Sequence, residues 1–97
     1  MAMSHPGDNG SPFTSVRFML DADAVPGLLP RLLQPFAKRD LTPDRMWSHR
    51  TGTAMHVEIA CEAMPNEVVH LVEGNLLATV GVHNVTLIRA RCLRQVA

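Results

Sequence analysis

The chain alternates between two hydrophobic periodicities, and the order in which it does so limits the folds open to it. Residues 14–20 alternate apolar with polar side chains, which is the period of a strand that buries one face. Residues 21–27 are expected to break this strand, and apolar side chains at spacings of three and four over residues 28–36 predict an amphipathic helix that ends near residues 38–40. Pro35 predicts a kink in this helix or an earlier end, because proline has no backbone N–H to donate.

A hairpin is predicted next, with strands over residues 45–50 and 53–61 joined at Thr51-Gly52, since glycine supplies the positive φ that tight hairpins need. One face of this hairpin is mainly apolar, and the other carries an aromatic pair and an opposite-charge pair, which are combinations that stabilise paired strands. The predicted cross-strand pairs are Arg50–Thr53, Ser48–Met55, Met46–Val57, Trp47–His56 and Arg45–Glu58.

The last third of the chain adds a second helix and a last strand. Met64-Pro65 predicts the helix start, because proline is tolerated in a first turn, and Gly81 ends the region before a strand over residues 82–89. The predicted buried stripe of this helix is Val69, Val72, Leu76 and Val80. The whole order predicts an α+β domain of the ferredoxin-like βαββαβ type, a four-stranded antiparallel sheet with two helices on one face.

A single domain, residues 13–90, accounts for most of the 97 residues, since domains typically run to about 100–150 residues. Residues 1–12 are rich in Gly, Pro, Ser and Asn and are expected to form a disordered N-terminal tail. Residues 91–97 are expected to form a C-terminal tail. The arginines crowded near that end, Arg89, Arg91 and Arg94, are interpreted as a solvated basic segment.

Composition argues against several classes of function. Nine basic residues balance nine acidic ones, so we expect no nucleic-acid partner and no binding to a membrane surface, which normally require a basic excess. No apolar run approaches the roughly 18 residues that cross a bilayer, and the N-terminus lacks the pattern of a signal peptide. Because Cys61 and Cys92 form no CxxC motif, we expect reduced thiols and a cytoplasmic protein.

The candidate chemical groups form no catalytic constellation in the sequence. His49 and His56 are predicted on the outward face of the hairpin with only Glu58 near them, so we expect solvent-facing histidines and no metal. Ser48 and Cys61 are candidate nucleophiles, but both are expected to face the core without a base beside them. No glycine-rich phosphate loop occurs. We therefore expect a protein with a binding or regulatory role and no cofactor. A small enzyme is a less favoured alternative.

Two segments of the chain resemble an ACT domain. A strand followed by Val25-Pro26-Gly27-Leu28-Leu29, and then by a helix ending in Phe36-Ala-Lys-Arg-Asp-Leu41, resembles the opening of that family. Leu77-Ala-Thr-Val-Gly-Val-His-Asn-Val85 resembles its close, so the likeness covers residues 13–89. It implies a regulatory module that binds an amino acid or another small effector, usually where two copies meet, and that modulates an enzyme.

Within this family the chain is similar to the small regulatory subunit of acetolactate synthase, because Arg45-Met-Trp-Ser-His49 fits the second strand of that group. The resemblance implies a biosynthetic enzyme, such as the catalytic subunit of acetolactate synthase, as partner. Family members often carry Asn or Asp two residues before the proline, where it holds the amino group of the effector. Here Ala24 stands in that place, and the nearest carboxylate is Asp23.

The predicted effector site lies between the first strand and the first helix. Gly27 allows close approach of the backbone, and the N–H groups at a helix start favour a carboxylate, whereas Asp21 or Asp23 would hold an ammonium group. The predicted site residues are Asp21, Asp23, Ala24, Val25, Gly27 and Leu28. Two alternatives stay open: a tight turn into the helix with no ligand, and a structural homodimerisation module that lacks an effector site.

A homodimer is also predicted from the open face of the sheet. That face is expected to carry Met19, Trp47 and Ile88, which is more apolar surface than a solvated face needs. An edge strand offers a further route to pairing.

Overall fold

The computed structural model describes residues 11–90 and confirms the predicted βαββαβ order. The strands form one antiparallel sheet in the order β2-β3-β1-β4, so β1 and β3 are central and β2 and β4 are the edges. The predicted C-terminal tail, residues 91–97, and residues 1–10 of the predicted N-terminal tail lie outside the described residues. The elements are β1 (Phe13–Asp23), α1 (Leu28–Ala37), β2 (Arg45–Thr51), β3 (Ala54–Pro65), a 3₁₀ turn (Asn66–Val68), α2 (Val69–Leu77) and β4 (Val82–Ala90).

The core lies between one face of the sheet and the two helices. Every even-numbered residue of β1 from Val16 to Ala22 is buried, as period two requires of a half-buried strand. The rings of Phe18 and Phe36 meet edge to face, with centroids 5.8 Å apart and an interplanar angle of 75°. Such a pair contributes about 0.5–1.5 kcal/mol beyond its buried area. The helices contribute the buried side chains Leu28, Leu32 and Phe36 from α1 and Val69, Val72 and Leu76 from α2.

β1 is longer than the sequence predicted. It continues through Asp21, Ala22 and Asp23, which pair with the start of β3, so these residues belong to the sheet and not to a loop. The reason is that Ala22 extends the buried alternation by one more residue and is 2% exposed. The two aspartates consequently share the sheet face that points away from the helices. We call that face the outer face.

The hairpin shows correct faces but a wrong register. The two-residue loop is Gly52–Thr53, with Gly52 at φ 61°, and not Thr51-Gly52. Moving the loop by one residue moves every cross-strand partner by two, which leaves each side chain on its predicted face. All five predicted pairs are therefore wrong. The observed partners are Arg45–Ala60, Met46–Ile59, Trp47–Glu58, Ser48–Val57, His49–His56, Arg50–Met55 and Thr51–Ala54.

Both helices differ from prediction at their ends. α1 runs through Pro35 and continues to Ala37, and the Arg39 guanidinium donates to the Pro35 carbonyl at 2.8 Å. Pro65 ends β3 instead of opening α2, which begins only after the 3₁₀ turn. Val80, predicted to be buried, is 72% exposed because α2 has ended three residues earlier.

Candidate functional site

A row of polar side chains crosses the outer face at one end of the sheet. Four residues are direct neighbours on adjacent strands, namely His49, His56, Asp21 and Asn84. A shallow depression of about 310 Å³ lies at this end and is lined in part by Asp21, Asp23, His49, His56 and His83. The sheet therefore brings together two of the predicted site residues with three histidines that the sequence separates.

His56 is held by two carboxylates. Its Nδ1 lies 3.1 Å from Asp21 Oδ1, and its Nε2 lies 3.0 Å from Glu58 Oε2. A carboxylate only accepts hydrogen bonds, so both contacts are satisfied together only when both ring nitrogens donate, which is the imidazolium form. The hydrogen bonds to Glu58 and then to Asp21 raise the pKa of His56 above its usual value, against a smaller opposing effect of burial. The His56 ring also meets Trp47 edge to face at 5.8 Å.

Asp23 lies at the end of β1, where the pairing with β4 is irregular between Asp21 and Ala22. Its Oδ1 accepts a hydrogen bond from His83 Nε2 at 2.8 Å, and both side chains are more than half exposed. Within residues 11–90 no group of three or more His, Cys, Asp or Glu side chains has an arrangement that could hold a metal ion. The polar cluster is therefore a set of histidine–carboxylate pairs.

The segment between β1 and α1 forms a different environment. Gly27 immediately precedes α1 in a left-handed conformation, φ 79°. The exposed guanidinium of Arg31 lies over it, 3.5 Å from the position that a Cβ on Gly27 would take, and Arg31 Nη1 donates to the Pro26 carbonyl at 3.4 Å. The Arg31 cation thus lies against the backbone at the helix start.

The N–H groups of the first helical turn are mostly occupied or absent. Leu28 N–H donates to the Val25 carbonyl at 3.2 Å, and Arg31 N–H donates to the Gly27 carbonyl at 3.2 Å. Pro30 has no N–H. The predicted anion site at the helix start is consequently poorer in backbone donors than the sequence suggested, and the positive charge there comes from the Arg31 side chain.

The six predicted site residues do not share one environment. Asp21 and Asp23 face the outer side of the sheet with the histidines, whereas Leu28 is buried in the core on the helix side. Between them, Ala24 is tied to the hairpin loop through its N–H, which donates to the Thr53 carbonyl at 2.8 Å. Val25 packs against the core and near Gly81.

Comparison with known proteins identifies the family of this chain. The sequence model of the ACT-like domain family matches residues 10–93. The chain belongs to the ACT-like domain family. No curated protein sequence matches it significantly. The ACT-like fold of this chain also matches solved structures. Within residues 11–90 no helix is long and apolar enough to span a membrane.

Two of these structures come from larger chains. A homoserine dehydrogenase from Thiobacillus denitrificans matches with a TM-score of 0.68 and 19% identity, over 81% of this chain and 18% of the dehydrogenase. The regulatory subunit of aspartate kinase from Thermus flavus matches with a TM-score of 0.57 and 16% identity, over 77% of this chain and 51% of that subunit. The ACT-like domain thus spans about a fifth and about half of these chains, and the likeness supports the fold.

Sequence reasoning missed two features of this ACT-like domain. The periodicity places Arg31 only within an amphipathic helix, although its spacing of four from Gly27 puts it one turn above the helix start. The contact of His56 with a second carboxylate depends on the register between β1 and β3, which sets His56 opposite Asp21. Only the true end of β1 and its register with β3 would have revealed that pair.

The candidate nucleophiles offer no activated group. Cys61 is buried with a free thiol, and burial followed by the charge of Asp44 raises its pKa to about 11, so the thiolate is scarce near neutral pH. Ser48, predicted to face the core, lies on the helix side of β2 but is exposed, because β2 is an edge strand whose Met46 is itself only partly buried. Cys92 lies outside the described residues.

Proposed function

We propose that this ACT-like domain is a homodimeric, cytoplasmic regulatory module that binds an amino acid and modulates an enzyme of amino-acid metabolism, without catalysis of its own. The observation that carries the proposal is the Arg31 guanidinium over the backbone of Gly27 at the exposed start of α1. The family membership supports the regulatory role. The structural neighbours are a homoserine dehydrogenase and a regulatory subunit of aspartate kinase, both proteins of amino-acid metabolism.

Recognition of an α-amino acid requires an anchor for a carboxylate and an acceptor for an ammonium group. Arg31 supplies the first, since guanidinium binds carboxylate through two parallel hydrogen bonds. Asp23 is the nearest carboxylate in sequence for the second, although it faces the outer side of the sheet and already accepts a bond from His83. An ammonium group that binds Asp23 would therefore compete with His83.

A structural homodimerisation module without an effector site is the second candidate. It is favoured by the first turn of α1, where the N–H groups of Leu28 and Arg31 are already bonded. It is also favoured by the placement of Asp21 on the outer face, away from the helix start. The catalytic subunit of acetolactate synthase stays a prediction for the partner enzyme, because neither structural neighbour is an acetolactate synthase subunit.

The test is a thermal-shift screen against the protein amino acids, followed by calorimetric titration of the selected ligand. A ligand at a hundred times its Kd adds about 2.7 kcal/mol to stability. Hydrogen bonds to charged groups contribute about 1.5–3 kcal/mol, so Arg31→Gln and Asp23→Ala should each weaken binding more than tenfold. Lys38→Gln, an exposed cation at the other end of α1, is the matched control and should bind as the wild type does.

Three results would oppose the proposal at different points. Absence of binding by every amino acid would favour the structural module. Unchanged affinity in Arg31→Gln would move the carboxylate anchor elsewhere, and unchanged affinity in Asp23→Ala would remove Asp23 from the site.

A further inference from the structure

A second shallow depression lies on the outer face, towards the other end of the sheet from Asp21 and Asp23. Its volume is about 260 Å³, and it is lined by Arg17, Arg45, Trp47, Glu58 and Ala60. Ala60 of β3 pairs with Arg45 of β2 on one side and with Arg17 of β1 on the other. The small side chain of Ala60 therefore forms a floor between two arginines.

Both arginines are available to a ligand. Arg45 lies exposed on the edge strand β2, and its side chain has no hydrogen-bond or ion-pair partner among residues 11–90. The Arg17 side chain is 55% exposed, and its guanidinium lies 4.0 Å from Glu58 Oε1, which is longer than a hydrogen bond. Two strand spacings, about 9.6 Å, separate the Cα atoms of the two arginines. Their long side chains can therefore converge on one anion above Ala60.

The indole ring of Trp47 offers a flat apolar surface beside this arginine pair. It stacks on His49, with ring centroids 6.0 Å apart and planes 10° from parallel. His49 follows Trp47 along β2 whereas Arg45 precedes it, and the depression is lined by Trp47 and Arg45 but not by His49. The ring face that His49 leaves open is therefore the one that borders the depression, and Trp47 as a whole is 51% exposed.

The charge and size of the depression fit a small monoanion. Two guanidinium groups and one carboxylate line it, which leaves one positive charge. The carboxylate of Glu58 is engaged elsewhere, since His56 Nε2 lies 3.0 Å from its Oε2. Guanidinium groups bind carboxylates through parallel hydrogen bonds, and aromatic rings favour offset-stacked neighbours. The volume lies just below the roughly 300–1,000 Å³ of ordinary ligand pockets, so the ligand is small.

We propose that this depression binds a small aromatic carboxylate, with its carboxylate over Ala60 between Arg45 and Arg17 and its ring on the open face of Trp47. The site is distinct from the proposed effector site, because Arg31 lies on α1 and both helices pack on the other face of the sheet. Binding here needs no ammonium group and is independent of amino-acid binding at Arg31. Pairing of two copies through the outer face would cover the depression, so this ligand and such a dimer exclude each other.

Phenylacetate is the probe, because it has a ring and a carboxylate but no amino group. For about ten non-hydrogen atoms in a shallow site we expect a Kd of about a millimolar. Titration of isotope-labelled protein, followed by heteronuclear NMR, should shift the Trp47 indole N–H and the Ala60 amide and leave the Gly27 amide in place. 2-Phenylethanol, which has the ring without the charge, should bind at least tenfold more weakly. Cyclohexylacetate, which has the charge without the aromatic ring, should bind at least threefold more weakly.

Substitutions separate the two parts of the site. Arg45→Gln and Arg17→Gln should each weaken phenylacetate binding at least tenfold, because each removes a charged donor. Trp47→Leu should reduce the affinity for phenylacetate to that for cyclohexylacetate, with the Ala60 amide as the readout. Arg50→Gln is the matched control, because Arg50 lies on the same strand but on the helix side, opposite Met55. This control should bind phenylacetate as the wild type does.

Several results would overturn the proposal. Shifts that survive both arginine substitutions, or phenylacetate that binds no better than 2-phenylethanol, would remove the anion site. Phenyl phosphate that binds at least tenfold more tightly than phenylacetate would replace the carboxylate by a phosphate ester. Absence of any shift at about twenty times the expected Kd would remove the ligand altogether. None of these results bears on the effector site, which is decided by the calorimetric titration with amino acids.

Discussion

Replacing Gly81 by alanine would disturb the place where the last strand meets the segment before α1. Gly81 precedes β4 with φ 97°, and its carbonyl accepts a hydrogen bond from Asp23 N–H at 2.8 Å. A Cβ built on Gly81 lies 3.1 Å from Val25 Cγ2, 3.6 Å from the Asp23 carbonyl oxygen and 3.9 Å from Leu28 Cδ1. The position therefore combines an unfavourable backbone conformation with a crowded side.

The magnitude follows from these two effects. A non-glycine residue at positive φ costs about 1–3 kcal/mol, and Val25 must also move by a few tenths of an ångström to admit the methyl group. We expect Gly81→Ala to lower the free energy of unfolding by about 2–3 kcal/mol, and a domain of this size loses about 4–8 °C in Tm per kcal/mol. Urea unfolding followed by Trp47 fluorescence measures the change.

Gly74→Ala is the matched control, because Gly74 lies within α2 and nothing is within 4 Å of its added Cβ. Alanine is favoured over glycine in a helix interior by about 0.5–1 kcal/mol, so this variant should be more stable than the wild type. The two substitutions add the same methyl group and are expected to have opposite signs. Equal stability of Gly81→Ala and the wild type would show that neither the backbone strain nor the contact with Val25 is real.

Three further changes test the core and the titrating groups. Hydrogen bonds to two carboxylates raise the pKa of His56, so its stabilising contribution is complete below the unfolded pKa of about 6.5 and is lost as pH rises through the higher folded pKa. The stability difference between wild type and His56→Gln should therefore be larger at pH 6 than at pH 8. A difference independent of pH would contradict the paired imidazolium. Phe36→Ala, which removes a ring that is 1% exposed and packed against Phe18, should cost about 3–5 kcal/mol in chemical denaturation, and a loss below about 1 kcal/mol would place that ring outside the core. In a Cys92→Ser background, Cys61 should resist thiol reagents at neutral pH until urea unfolds the chain, because burial raises its pKa to about 11; rapid labelling of the folded protein would refute its burial.

The faces of the elements were predictable because periodicity alone fixes them. Val16, Phe18 and Leu20 had to share a side of β1, and Met46 and Met55 had to share the helix side of the hairpin, whatever the exact pairing. Register was not predictable in the same way. Thr51-Gly52 and Gly52–Thr53 are both acceptable two-residue loops, and the choice between them shifts every cross-strand partner by two without moving any side chain to the other face.

The candidate site was less predictable than the fold, because it depends on where β1 ends. Two aspartates flanking one small residue are typical of a loop, yet Asp21 and Asp23 are accommodated in β1 since both point to the exposed face while Ala22 fills the core. The carboxylates thereby acquire His56 and His83 as partners, which no local pattern indicates. Neither the contact between Asp21 and His56 nor that between Asp23 and His83 follows from the sequence without the strand pairing.

The proposed effector site and the outer face, from which the homodimer is predicted, share the end of β1, and this proximity has a thermodynamic consequence. Asp23 donates its N–H to the Gly81 carbonyl next to β4 and accepts a bond from His83, and it lies two residues from Asp21 on the outer face. An effector ammonium that replaces His83 at Asp23 would change the contacts of Asp23 at this end of the outer face. Binding linkage is reciprocal, so whatever factor the effector applies to the dimer Kd, dimerisation applies to the effector Kd. Calorimetric titration of the amino acid at protein concentrations above and below the dimer Kd would then give two effector affinities. Sedimentation with and without the amino acid would give two dimer dissociation constants. The ratio of the two affinities must equal the ratio of the two dimer constants. Equal affinities at both protein concentrations would mean that the two sites are independent despite their shared strand.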